Sequence, residues 1–392
     1  MIVLLTDAME RATLAAARSL VARGHSVHVV TGRRRSLTGS SRGVREWLVT
    51  IDPLTDGDAW AGAVLKIGRE VGAEGILPMT DHAMVALLPH QDCPGGPAIL
   101  APAREAWALA SDKAALLPIA ARAGFEVPPT LRVEAPDDLP GQADLEAFVP
   151  GFLKPHRSVV TSDGRLRKLG VVPVPTPATC LSALRELPAA AYPVLLQRRV
   201  EGPGVGVFAL RWDHAMVAVF GHRRIREVPL TGGVSVYRES IALDPDVLAR
   251  TEALLAALEW QGVAMVECKR DVATGQLVIM EVNGRFWGSL QLALDAGVDF
   301  PALLLDCWNG RPVQPIASYR TGVRTRWEWG EMDYLWLRTR AAHSSGGGTI
   351  RAVTRGLGEI FRSSGNDHAE VFRFRDPGPF LVESARRLKL LR

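Results

Sequence analysis

The chain has 392 residues, a formal net charge of +4, and 47% hydrophobic and 22% charged residues. That length exceeds a single core and predicts two or three packed units of about 100 to 200 residues, while no apolar run approaches the roughly 18 residues of a transmembrane helix. Arginines dispersed along the chain argue against a nucleic-acid stripe, and Cys93, Cys180, Cys268 and Cys307, without Cys-x-x-Cys spacing, argue against a zinc site or disulfide framework, leaving the cytoplasm as the expected compartment.

In chain order, Ile2–Leu5 follows no positively charged stretch and reads as a first strand rather than a signal peptide. Strand-like and helix-like stretches then alternate through MIVLLTD, RATLAAARSLVARG, HSVHVVTG, WAGAVLKIGREVGA and EGILPMTD. This βαβα rhythm predicts a parallel α/β, Rossmann-like domain over residues 1–108. Thr6-Asp7-Ala8-Met9 stands where a dinucleotide fingerprint would need glycines, so NAD binding has little support. Asp7, Arg11, Thr80 and Asp81 fall at carboxyl ends of strands, where open α/β sheets place ligands, and are candidate substrate contacts.

A new unit, expected over 109–318, opens with SDKAALLPIAARAG, for which Ser111 is the candidate N-cap. Beyond Pro128-Pro129 the pattern turns to strands with several antiparallel pairs, an α+β arrangement, before the helix DPDVLARTEALLAALEW and the strands VAMVECKRD and LVIMEVN. Residues 319–392 form a basic, tryptophan-rich extension, read as two helices joined by a mobile Ser-Ser-Gly-Gly-Gly link, for which packing on the core is the plainest role and docking to a partner or an anionic membrane the alternative. Lysine is rare beside arginine, which draws attention to Lys113 and Lys154 among Lys66, Lys168, Lys269 and Lys389.

The two strands before Asn283 carry the sharpest chemical signal. A turn centred on Thr274 sets Asp271 opposite Leu277, Lys269 opposite Ile279 and Glu267 opposite Glu281. Side chains paired across an antiparallel ladder lie about 4.5 to 5.5 Å apart on one face, and Asn283 joins that face by the two-residue period. Two carboxylates and an amide oxygen in an otherwise apolar pair of strands need a compensating cation, and an all-oxygen set suits a hard ion such as Mg²⁺ or Mn²⁺.

Taken together, the Ser-Asp-Lys helix start at 111–113, the strand lysine in Phe-Leu-Lys154-Pro, the stretch LLQRRVEG, and the final pair VECKRD and IMEVNGR resemble the ATP-grasp superfamily, in particular its carboxylate–amine ligase and carbamoyl-phosphate-synthase-like branch. The resemblance implies a Rossmann-like domain followed by two α+β subdomains clasping ATP, a small lid at about 128–200 and a C-terminal subdomain at about 201–318. It implies that Glu267, Glu281 and Asn283 hold two Mg²⁺ ions, with Mn²⁺ as the alternative, and that Lys113 and Lys154 reach the ATP phosphates. Gln197, Arg198, Arg199 and Val200 match the hinge that contacts adenine; Arg285 matches an arginine aimed at developing negative charge; Arg226 with the Gly232-Gly233-x-Ser235 loop resembles a substrate-side element. Only Gly164 stands where a glycine-rich phosphate-covering loop is expected, and Pro203-Gly-Val-Gly206 replaces the usual ribose-binding acid. The activity implied is ligation of a small-molecule carboxylate to an amine through an acyl phosphate, with other ATP-grasp phosphoryl transfer or a non-catalytic nucleotide-binding module as alternatives. His222 and the hairpin carboxylates are open candidates for the general base, and a homodimer is the common outcome for a symmetric assembly.

Overall fold

The structure, a computed structural model, describes residues 1–230, 232–316, 318–344, 358 and 365–391. Its first sheet is wholly parallel, in the order β3 (Val44–Leu48), β2 (Ser26–Thr31), β1 (Ile2–Leu5), β4 (Gly75–Leu77), β5 (Ala98–Ile99). Parallel strands need crossovers; α1 (Arg11–Ala22), α2 (Gly57–Glu70) and α3 (Asp81–Leu87) supply three, and residues 32–43 join β2 to β3 without a helix. Small residues on α1 let it pack closely, with Ala12, Ala15, Ala16 and Ala17 all in the core.

Two helices follow, α4 (Arg104–Ser111) and α5 (Lys113–Arg122). Asp112, not Ser111, caps α5: its Oδ1 accepts from the amides of Ala114 and Ala115 at 3.0 and 3.2 Å, while Ser111 ends the preceding helix. Asp112 therefore turns the chain sharply enough to start a helix on the buried Lys113.

The next layer is a four-stranded antiparallel sheet in the order β10 (Val172–Val174), β7 (Gly151–Pro155), β11 (Val194–Arg198), β6 (Thr130–Val133), covered by α6 (Gln142–Phe148) and α7 (Pro177–Glu186) around its own small core. A separate hairpin, β8 (Val159–Ser162) with β9 (Arg165–Lys168), projects from it.

The last sheet has seven strands in the order β16 (Leu277–Asn283), β15 (Gly262–Arg270), β12 (Gly204–Trp212), β13 (Ala215–Val228), β14 (Val234–Ile241), β17 (Arg324–Arg326), β18 (Asp367–Ala369). Helices α8 (Pro245–Ala257), α9 (Leu290–Ala296) and α10 (Phe300–Trp308) accompany it. One cluster of buried side chains joins α1 and β1 to Phe208, Phe220, Trp287 and the apolar faces of α9 and α10. Burial of each large apolar side chain contributes about 1.5 to 3 kcal/mol, so this shared core holds the parallel domain against the large sheet.

After residue 318, β17 and β18 extend the large sheet, followed by α11 (Glu328–Ser344) and α12 (Gly378–Arg387). Arg18 holds Asp376, Arg11 and Arg238 hold Glu370, and Trp327 and Trp329 donate to Glu383 and Ser384 at 2.9 and 3.0 Å. The expected glycine-rich link lies, apart from Ser344, outside the described residues. Among the described residues no helix is long and apolar enough to cross a membrane.

Candidate functional site

Glu267 of β15 stands directly opposite Glu281 of β16. The pairing nearer the turn differs from the expected one, with Arg270 opposite Leu277, Lys269 opposite Val278 and Cys268 opposite Ile279. Continued without interruption, that register would set Glu267 against Met280. A bulge between Glu267 and Cys268 leaves Met280 as the extra residue and restores the carboxylate pair.

Like charges face to face are destabilising, and the fold supplies cations for both. Arg224 Nη2 lies 2.7 Å from Glu267 Oε2 and its Nη1 2.8 Å from Glu227. Lys113 Nζ lies 3.6 Å from Glu281 Oε2, and Asn283 Nδ2 donates to Glu281 Oε1 at 3.0 Å. Burial raises the Glu281 pKa, but Lys113, the Asn283 hydrogen bond, Lys154 and Arg285 outweigh it and hold the carboxyl at about 2. Glu267 moves the other way: burial pushes it up, Arg224 pulls it down, and the charge of Glu281 adds to the rise.

Arg224 reaches Glu267 across β12 because Gly204 lies between them; a Cβ there would sit 2.7 Å from Arg224 Cδ. Gly206 clears the strand in the same way two residues further on: His222, Gly206, Glu267 and Glu281 form a single row across four strands, and a Cβ on Gly206 would sit 2.8 Å from His222 Nε2. Among the described residues, both ring nitrogens of the buried His222 and the indole nitrogen of Trp287 lack a hydrogen-bond partner, and both rings touch Phe208.

Arg285 is clamped by Asp81 of the parallel domain, Nε and Nη2 donating at 3.0 and 2.9 Å, with Nη2 also 3.4 Å from Asn283 Oδ1. Asp81, Lys113, Ser158, Glu281 and Asn283 line one cleft. Lys154 lies beside them, its ammonium 3.8 Å from Met280 Sδ. Burial lowers its pKa to about 8, against the opposing pull of Glu281 and Glu267.

The other expected positions divide. Gln197 is buried on β11, donating to Thr130 at 3.3 Å, and its Oε1 has no partner among the described residues. Arg198 is exposed, Arg199 pairs with Glu201 at 2.6 Å, and the Val200 carbonyl accepts from Lys269 at 3.1 Å. Thr80 donates to Asp7 at 3.0 Å, whereas Arg11 is drawn away to Glu370 and stacks 4.0 Å over Trp327. Arg226 does not join the carboxylates: it is buried against Glu331 through two hydrogen bonds and lies 4.4 Å over the Tyr237 ring. Gly233 offers its carbonyl to Arg224 at 3.1 Å, Gly232 takes a φ of +115°, and the Ser235 hydroxyl is buried without a partner among the described residues. Arg224, two residues before the expected arginine, is the one that reaches the carboxylates; its signal was the glycine pair at 204 and 206, which clears a path across β12.

These residues fit ATP with Mg²⁺. The facing carboxylates of Glu267 and Glu281 with the amide of Asn283 form an all-oxygen donor set, which suits Mg²⁺ bound by one or two carboxylates and completed by substrate phosphates. Lys154, a half-buried ammonium in contact with the Met280 thioether, suits an anionic phosphate, and Gln197 Oε1, for which the described residues provide no partner, suits an amino donor such as that of adenine.

Among curated protein sequences none matches the chain. The sequence model of one family, described as ATP-grasp in the biosynthetic pathway with Ter operon, matches residues 191–330. Among solved structures, the L-amino acid ligase from Bacillus licheniformis is similar at 15% identity and a TM-score of 0.60, covering 78% of this chain and 73% of that one. N5-carboxyaminoimidazole ribonucleotide synthetase from Thermus thermophilus is similar at 18% identity and a TM-score of 0.61, covering 83% and 82%. Biotin carboxylase from Campylobacter jejuni, in a β,γ-ATP complex, is similar at 15% identity and a TM-score of 0.61, covering 82% and 74%. Residues 191–330 thus match the ATP-grasp family model, and the fold of the chain is the one these solved structures share.

Proposed function

We propose that this chain is an ATP-dependent ligase that activates a carboxylate as an acyl phosphate and joins it to an amine, releasing ADP and phosphate. The observation that carries the reading is the environment of Glu281: opposite Glu267, bonded by Asn283, beside Lys113, and in one cleft with the Asp81 that clamps Arg285. Glu267, Glu281 and Asn283 would hold Mg²⁺, which when bound neutralises phosphate charge during phosphoryl transfer. Lys113 and Lys154 bring fixed positive charge to the same cleft, and Gln197 with the backbone of Arg199 and Val200 would contact adenine.

Arg285 is held by Asp81 so that its guanidinium needs no reorganisation when charge develops on a transferred phosphoryl group or on an acyl carbon under attack. A preorganised donor of this kind contributes most where water is excluded, and the β8–β9 hairpin bears on that: the Leu166 amide donates to the Leu54 carbonyl of the parallel domain at 3.0 Å, drawing the hairpin down beside the cleft. The test is a screen of ADP release with Mg²⁺ over amino acids, hydroxy acids and sugar acids, each with and without amines. Release that needs an acid and an amine together supports the ligase; a stable phosphorylated product would replace it with kinase-like transfer.

A further inference from the structure

A second cavity, of about 390 Å³, opens at the carboxyl ends of β1, β2 and β3. Asp7, Glu10, Asp52, Arg33 and His82 line it, so carboxylates outnumber the fixed cation. Trp60 is its buried wall, and the exposed side chains of Met9 and Ile51 stand at its rim. Such a surface suits a cationic head on an apolar body.

The polar centre is built rather than incidental. Asp7 takes a φ of 56° just past β1, a conformation that a residue other than glycine adopts at a cost and that is often found where a side chain must be aimed. Its Oδ2 accepts from the hydroxyls of Thr6 and Thr80 at 2.5 and 3.0 Å, and its Oδ1 lies 2.9 Å from His82 Nε2. A carboxylate only accepts, so Nε2 carries the hydrogen, and Nδ1 is the ring nitrogen left to take up a proton; the described residues provide no partner for it.

Consecutive residues of α3 line this cavity and the cleft at Glu281. His82 follows Asp81, which lines that cleft and clamps Arg285. Leu54, which accepts the hydrogen bond from the β8–β9 hairpin, lines the cavity itself.

We propose that this cavity takes the amine substrate of the ligation put forward above, on which this inference rests, and that His82, oriented by Asp7, accepts the proton of its ammonium group. The ammonium gives one proton to His82 and becomes a neutral amine. Its lone pair forms the C–N bond to the acyl carbon; the C–O bond to phosphate breaks, its electron pair staying on the phosphate oxygen. The remaining excess N–H proton passes to that phosphate, and His82 returns its own proton to water.

The experiment has two arms on the full chain. Calorimetry with L-leucinamide, against 4-methylpentanamide as its amine-free counterpart, measures the cavity; MgATP binding reports that each variant is folded. Only the amine is expected to bind, and Asp7→Asn and the rim variant Ile51→Arg each weaken it by about tenfold or more with MgATP affinity unchanged. Absence of L-leucinamide binding, equal binding of the amine-free compound, or binding unchanged in the rim variant overturns the cavity assignment.

The second arm compares His82→Gln with the parent in ADP release driven by a carboxylate panel with either L-leucinamide or hydroxylamine, which is already neutral near pH 7. The variant is expected to lose about a hundredfold with the amine and little with hydroxylamine. Equal loss with both nucleophiles overturns the proton-acceptor role. If the parent forms no hydroxamate from any carboxylate, the acyl-phosphate reading fails separately, while the calorimetry still decides the cavity.

Discussion

Arg224 and Glu267 form an ion pair across an intervening strand, Nη2 to Oε2 at 2.7 Å, over the bare backbone of Gly204. It places a permanent guanidinium charge beside one member of a facing carboxylate pair. Lys113 does the same for the other member. The site is thus held together by the chain's own cations, and a bound metal would add to a scaffold that is already assembled.

Removing Arg224 leaves Glu267 partly buried and unpaired. Arg224→Met is expected to destabilise the protein by about 3 kcal/mol, and Glu267→Gln in the same chain to recover a large share of that, since the stranded charge is gone. Urea denaturation of the two single variants and the double variant measures the coupling. Gly204→Ala, whose Cβ would stand 2.7 Å from Arg224 Cδ, should cost about 1 to 3 kcal/mol by displacing the same arm.

Asp81→Asn keeps the size of the clamp on Arg285 but removes its charge. Turnover is expected to fall about tenfold to a hundredfold with the KM for ATP nearly unchanged, because Asp81 positions an arginine and does not itself hold the nucleotide. A parallel rise in the KM for ATP would argue that Asp81 supports nucleotide binding instead.

The burial of His222 gives the fold a pH dependence. Burial, followed by Arg224 and Arg238, pushes its pKa well below 6.5. The folded state therefore keeps the ring neutral while the unfolded chain protonates it, so this contribution is fully present above about pH 6.5 and declines as the pH falls below it. The slope approaches about 1.4 kcal/mol per pH unit. Denaturation profiles between about pH 7.5 and pH 5 should steepen in the parent relative to His222→Gln.

How far the site could be read from the sequence depended on how local each contact is. The apolar flanks and short turn of VAMVECKRD and LVIMEVN were enough to pair Glu267 with Glu281, yet the pairing near the turn is one residue off and the bulge at Met280 absorbs the difference. Bulges also explain the exchange of Arg226 for Arg224, because β13 is irregular on both sides of Arg226 and the face of each arginine cannot be counted from the turn. The Rossmann-like rhythm showed β1, β2 and β4 clearly, while β3 and the two-residue β5 carry too little alternation to stand out. The Asp81 clamp on Arg285 spans 204 positions in sequence, and nothing local in either segment signals it.

The C-terminal segment is tied into the core through Glu370. Glu370 is buried and held by both Arg11 and Arg238. Glu370→Ala should cost about 3 to 5 kcal/mol, read as a lower midpoint in thermal unfolding. A segment serving only to dock a partner would leave that midpoint unchanged.

The most direct measurement is Mg²⁺-dependent ADP release by the parent and by Glu281→Gln, alongside ATP binding by calorimetry. Release is expected to require a carboxylate and an amine together and to fall by about a hundredfold or more in the variant, with ATP still bound. Full turnover in Glu281→Gln, or ATP bound by the parent without turnover across the substrate panel, would contradict it.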